Sequence, residues 1–342
     1  MHHKVKNQLT HYSRFLPILA FCGSLVSPQL IAKSTEEKSK AWSAEQVASI
    51  IDNTSEMLFA PDISHLSKNE LKTLKHLKNA GELIHEVYLQ AQHKDALKVK
   101  AGLLKRIANN DLEAKKLLKL YRIFKGPIAT NLENKRRPFV AVDGEVDGKN
   151  RYPWGISKQQ ITSFLEKHPE ESASLLHPRS VVRKASQSNL TKDLAVLKRH
   201  PALDTLHPGL KHKLETLQHG SEKSLYAVPY SVAYSKRIMK IYQELWLASD
   251  AIQSEDKDFA DYLRNRARDL LSDNYESGDA SWITGSFGNI NAQIGSYETY
   301  DDALFSTKTS FSMSILIKDR QRSLELKALT KGLQELENSL PY

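Results

Sequence analysis

The sequence predicts a mainly α protein with a small antiparallel β-barrel or sheet, α+β in class, on three observations. Helix starts of the capping-box kind recur at Ser43 with Gln46, Ser67 with Glu70 and Ser157 with Gln160, where two side chains satisfy each other's exposed backbone donors. Apolar residues follow at helical spacing, as at Leu71, Leu74, Leu77, Ile84 and Val87. In the last third the period changes to two, at Ile290, Ala292 and Ile294 and again at Phe311, Met313, Ile315 and Ile317, which is the alternation of strands with one buried face.

Taken in chain order, residues 1–32 read as a secretory signal. "MHHKVKNQLTHYSR" is basic without an acid, "FLPILAFCGSLV" is an apolar run, and Leu30 and Ala32 stand at positions −3 and −1 of a cleavage site. The run is shorter than the roughly 20 apolar residues that span a bilayer. The mature chain is therefore expected to be exported, periplasmic or secreted, without stable membrane insertion and without its single cysteine, Cys22. Residues 33–125 read as a helical region with helices at 44–58, 67–93, 95–107 and 111–124. Residues 126–342 read as a mixed lobe. It opens with a long loop, 126–153, that holds one short strand at Phe139 to Val142, and loops of this length are often functional. Helices are expected at 157–167 and 189–218, and a strand from Leu225 to Val228 stopped by Pro229. A long helix carries Ile238, Ile241, Leu245, Ala248 and Ile252 on one face, and its partner carries Phe259, Leu263, Ala267 and Leu270. After the segment 289–318, a final helix runs from about Arg320 to the end.

Composition and motifs exclude several chemistries. The net charge of +9 falls to +6 on loss of Lys4, Lys6 and Arg14, and the cations are interspersed with carboxylates, so no nucleic-acid surface is expected. His85 and His93 sit about 12 Å apart along a helix, too far for one ion. His207 and His212 have no neighbouring carboxylate in sequence, so no metal ligand set is expected in this chain. A nucleophile elbow and a phosphate-binding P-loop are both missing. Residues 289–302 differ: Tyr297, Glu298, Tyr300, Asp301 and Asp302 crowd a strand end, a density suited to holding a cationic amine or an oxyanion, or to a surface turn in which Asp301 and Asp302 cap a helix.

"IGSYETYDDALFSTKTSFSMSILIKD" resembles the I-G-x-Y-E-x-Y-x-D-x-L-F-x-x-K-x-x-F stretch of the bacterial dipeptidyl-peptidase III family of zinc-dependent exopeptidases. "RRPFVAVDGEVDGKNRYPWGISKQQITSFLEKHPEE", "SLYAVPYSVAYSKRIMKIYQELWLAS" and "YLRNRARDLLSDNYESGDASWI" extend the likeness upstream, so that it covers about 75–315. The resemblance implies two lobes around a wide peptide cleft: a lobe with a small β-barrel and a mainly helical zinc lobe. The zinc ligands of the family lie on an H-E-x-x-G-H helix and an E-E-x-x-A-type helix, both C-terminal to this stretch and neither found in this sequence. Glu298 and Tyr300 match the E-x-Y that lines the cleft. Asn291 and Gln293 fall where eukaryotic members carry an acid and a tyrosine that hold the peptide N-terminus; amides can hydrogen-bond an ammonium but supply no charge. Ser296 and "FSTK" depart from the "I-G-P-Y" and "F-G-Y-K" common in the bacterial branch.

The expectation is thus the N-terminal part of an exported zinc metallopeptidase. Asn291, Gln293, Glu298 and Tyr300 would bind the substrate, with no catalytic residue and no zinc site of its own. Peptides and a missing C-terminal zinc lobe would be its partners. The alternatives are a catalytically inactive peptide-binding or scaffolding protein, and a non-functional truncated remnant.

Overall fold

All three capping boxes close in the computed structural model, which describes residues 41–219 and 224–341. The signal predicted at 1–32 lies outside the described residues. The boxes start α1 (Ala44–Ile51), α2 (Lys68–Gln92) and α5 (Lys158–Lys167). Between them come α3 (Ala96–Ala108), α4 (Leu112–Phe124), β1 (Ile128–Thr130) and β2 (Arg136–Pro138). Next are α6 (Ser172–Leu175), β3 (Ser180–Lys184), α7 (Gln187–Arg199), α8 (Pro201–Leu206), α9 (Leu210–Leu217) and β4 (Leu225–Pro229). The C-terminal half holds α10 (Tyr230–Ala233), α11 (Ser235–Ile252), α12 (Lys257–Ser272), α13 (Glu276–Thr284), β5 (Ile290–Glu298), β6 (Ser310–Ile317), α14 (Arg320–Leu329) and α15 (Leu333–Asn338).

The main core forms where α2 and α12 both pack on α11 and β6 crosses α2. Leu77, Ala80, Ile84 and Val87 of α2 meet Ile238, Ile241, Leu245 and Ala248 of α11, with Leu263, Ala267 and Leu270 behind them, all buried. The predicted stripes on α11 and α12 are therefore the core faces. A second cluster gathers Val47, Leu89, Leu103, Leu117, Tyr121 and Phe139. It is pinned by the Tyr121 hydroxyl donating to the Ala96 carbonyl at 2.9 Å.

No barrel forms among the described residues. The strands make three separate antiparallel pairs, β1–β2, β3–β4 and β5–β6. The period-two segments pair with each other as predicted, from Ile290 opposite Ile317 to Glu298 opposite Ser310, with a bulge at 296–298. Four boundaries differ from expectation. The apolar run at Phe139 is no strand: pairing ends at Pro138, and the Phe139 ring packs edge-on to Trp42 at 6.3 Å. The helix expected over 189–218 is three helices, because Pro201 begins a new one after α7 and Gly209, at φ +82°, begins another. α1 ends at Ile51 instead of 58. The last helix breaks at Gly332, at φ +91°, and neither half buries a residue. Among the described residues no helix is long and apolar enough to cross a membrane.

Candidate functional site

α12, α13 and β5 enclose a recess of about 440 Å³, and its chemistry is set by one buried cation. Arg266 lies one residue before Ala267 on the apolar side of α12, so folding carries its guanidinium into the core. Such a charge needs partners. Its Nη2 donates to Asp279 Oδ1 at 2.6 Å and its Nη1 to Asp269 Oδ2 at 3.4 Å. The Tyr297 hydroxyl also donates to Asp279 Oδ1. Burial works against ionising Asp279, but the bonds from Arg266 and Tyr297 hold its carboxyl below the usual carboxylate value. Burial pushes the Tyr297 phenol up, with Asp279 acting in the same direction. Asp269 in turn accepts from Ser277 Oγ at 2.6 Å and Gly278 N at 2.8 Å, which fastens the start of α13 to α12. At Gly278 the approach is so close that a Cβ would stand 2.2 Å from Asp269 Oδ2.

Gln293 and Glu298 line this recess together with Tyr297, Trp282 and Ile283. Asn291 stands beside it, its Oδ1 accepting from Trp282 Nε1 at 3.0 Å. Tyr300 does not join them: it sits on the turn after β5 and is 79% exposed. Sequence reasoning missed Arg266, Asp279 and Trp282. The available signal was a cation in place of an apolar residue on the α12 stripe.

The acids next to Tyr300 are scaffold. No helix follows them; Asp302 is buried and closes the loop 299–309 on itself. Its Oδ1 accepts from Leu304 N (3.1 Å) and Phe305 N (3.3 Å), and its Oδ2 from Thr307 N (3.0 Å), Lys308 N (2.9 Å) and the Tyr152 hydroxyl (3.0 Å). Lys308 is fully buried, with Nζ donating to the carbonyls of Leu175 (2.5 Å) and His177 (2.8 Å) and to Ser180 Oγ (2.7 Å). Burial pulls its amine down to about 7, against the pull of Asp302. Asp301 accepts from Gln92 Nε2 at 2.6 Å and Ser310 Oγ at 2.8 Å.

A larger recess of about 740 Å³ lies between α6, α8 and the end of α12, and Asp273 and His207 line it. Ser231 Oγ is 2.7 Å from His207 Nε2 and donates to Asp273 Oδ2 at 2.8 Å. The carboxylate is thus held by the serine, and the imidazole Nε2 also stands 3.1 Å from the Leu271 carbonyl, so the carboxylate does not orient the imidazole as it would in a nucleophilic triad. Asp273 stands at φ +57°, and burial pushes its carboxyl up from 3.8 to about 7, with the two bonds from Ser231 and the charge of Arg179 opposing. Between those two values the folded chain keeps a proton that the unfolded chain has released, so this residue lowers stability progressively as pH rises from about 4 to 7. Asparagine tolerates the left-handed backbone and does not titrate. The stability of Asp273→Asn relative to the wild type is therefore expected to climb across that window and to level off above pH 7. Thermal unfolding at several pH values would show it, and a pH-independent difference would overturn the assignment.

Among the described residues there is no group of three or more His, Cys, Asp or Glu that could hold a metal ion. No family model matches the chain. A curated protein of Arabidopsis thaliana named Nudix hydrolase 3 is 30% identical over 195 residues, which are 57% of this chain and 23% of that protein. The structure of dipeptidyl-peptidase III from Caldithrix abyssi superposes with a TM-score of 0.63 and 23% identity over 82% of this chain and 45% of its own. That of dipeptidyl-peptidase III from Corallococcus sp. strain EGB gives 0.66 and 21% over 88% and 49%. The chain thus spans about a quarter of that curated relative and about half of either solved chain. Over that span, the fold of this protein is a dipeptidyl-peptidase III-like fold.

Proposed function

We propose that this chain forms the peptide-holding part of an exported, dipeptidyl-peptidase III-like metallopeptidase. The observation that carries the reading is the convergence of Gln293 and Glu298 on one recess, inside a fold shared with two dipeptidyl-peptidase III structures. A peptide N-terminus is an ammonium with three donors. The exposed Glu298 carboxylate and the Gln293 carbonyl are acceptors for it, while Asp279 Oδ1 is already occupied by Arg266 and Tyr297. Trp282 and Ile283 give the recess an apolar side for the first side chains, and about 440 Å³ suits a short peptide end. Tyr300, on the exposed turn, would meet the peptide outside the recess. No hydrolytic step is assigned to these residues, whose role in this reading is to hold the peptide.

Short peptides with a free N-terminus are expected to bind the purified chain, and N-acetylated versions to bind about tenfold more weakly, as a lost charge-assisted hydrogen bond implies. Glu298→Gln should erase most of that preference. Fluorescence polarisation would measure both, and equal affinity for free and acetylated peptides would defeat the reading. A peptide-binding protein without hydrolysis is the second reading, favoured by the uncharged amides at 291 and 293.

A further inference from the structure

Two adjoining recesses, of about 410 and 360 Å³, lie between α7, α11 and the segment 150–154 and share no residue with the one lined by Gln293 and Glu298. Gln90, Lys192 and Tyr234 line both. Their walls are cationic: Arg183, Lys184 and Lys192 on one side, Arg199, Lys236 and Arg237 on the other, with Asp193 as the one acid among the lining residues. Asp193 is already committed, accepting from Arg183 at 2.6 Å and from the Tyr226 hydroxyl at 2.7 Å. Arg237 is paired with Glu86 at 2.9 Å. Lys184, Lys192, Arg199 and Lys236 have no ion-pair partner among the described residues.

Unsatisfied donors are a second and independent observation. Tyr234 is buried, yet its hydroxyl has no hydrogen-bond partner among the described residues. The Nε1 of Trp154, another lining residue, is in the same condition. Deeper in, Arg151 is fully buried with Nε and Nη1 unpartnered, and its charge and that of Arg183 both act on the Tyr234 phenol. Ser186 and Asn189, at the N-terminal end of α7, complete the wall. Buried donors without acceptors are costly, and cations left unpaired around them make the complement of an oxyanion. Four unpaired cations exceed the charge of one carboxylate.

We propose that these joined recesses bind a phosphate-bearing small molecule, with its oxyanion between Lys184, Lys192 and Arg183 and a hydrogen bond from the Tyr234 hydroxyl. Their volume lies in the range of small-molecule sites, roughly 300–1,000 Å³. Concavity on this scale encloses a small ligand, whereas a nucleic-acid backbone is tracked by an open stripe. The site is separate from the peptide recess and stands or falls independently of it.

Calorimetric titration of the full chain with inorganic phosphate, pyrophosphate and ATP is the test. Pyrophosphate is expected to bind saturably at one site and more tightly than phosphate. Lys184→Ala combined with Lys192→Ala should abolish that binding. Tyr234→Phe should weaken it about tenfold, from one hydrogen bond to a charged acceptor, while leaving the unfolding transition of the free protein in place, because the hydroxyl has no partner to lose. Three results would overturn the proposal: no saturable binding of pyrophosphate, binding unchanged in both variants, or displacement of pyrophosphate by a short DNA duplex that binds more tightly.

Discussion

Asp302→Ala is expected to destabilise the fold by about 3–5 kcal/mol, near the upper end for a single substitution. The carboxylate is the common acceptor of four backbone N–H groups and the Tyr152 hydroxyl, all gathered in a buried loop. Alanine would leave these donors without a partner, and the penalty for each such group is about 1–3 kcal/mol before the loop relaxes. Asparagine is expected to rescue only part of the loss. Its oxygen can serve Leu304 and Phe305, but its amide would then face the donors now on Oδ2. Burial opposes ionisation of Asp302, but the bonds from Lys308 N, Thr307 N and Phe305 N hold its carboxyl below the usual value. A depressed acid contributes stability above its unfolded pKa and loses it as pH falls through the folded one. The gap between wild type and Asp302→Asn should therefore narrow under acid. Urea unfolding at neutral and acid pH measures both effects; a cost below about 1 kcal/mol for alanine would refute the role given to the loop.

Arg266→Met is the second large effect, also about 3–5 kcal/mol, because it strands the buried Asp269 beside an apolar side chain and takes from the half-exposed Asp279 its cation. Here the whole network can be tested. Adding Asp269→Asn and Asp279→Asn to Arg266→Met should recover stability relative to the single variant, since a neutral set has no unpaired charge to desolvate. A triple variant no more stable than the single one would show that the loss does not come from stranded carboxylates, leaving the packing of the guanidinium over Tyr262, Tyr275 and Tyr297, at 5.2 to 5.9 Å, as its source. The same variant should lose the preference for free peptide N-termini, as Tyr297 and α13 lose their common anchor.

Much of the helical frame was legible because its signals are local. Ser43, Ser67 and Ser157 announce their helices within four residues, and α11 and α12 display continuous stripes. β3 was not legible: "SVVRK" is short, and its partner begins at Leu225, some forty residues on, so nothing near it marks the pairing. α13 was missed for another reason. Its buried contacts are made by Gly278 and by polar bonds to Asp269, not by an apolar face that a periodicity can show. In the recess, Gln293 came from a family resemblance and Glu298 from that and from the crowding of acids and phenols at the strand end, whereas Arg266 and Asp279 are neighbours only once α12 and α13 have docked. Tyr300 was placed by the same two signals, and its exposure could not be read from spacing.

The contact at Gly278 gives the recess a rigid gauge. Where two helices meet through side chains, their separation is compliant, because a methylene more or less is absorbed by rotamers. Here α13 is held off α12 by a backbone N–H reaching a carboxylate at 2.8 Å, with no room for even one carbon between them. A stop of that kind has almost no travel. Differences in the size of what occupies the recess must then be taken up by the side chains of Trp282 and Ile283, which makes those two, more than the helix that carries them, the adjustable jaw of the site.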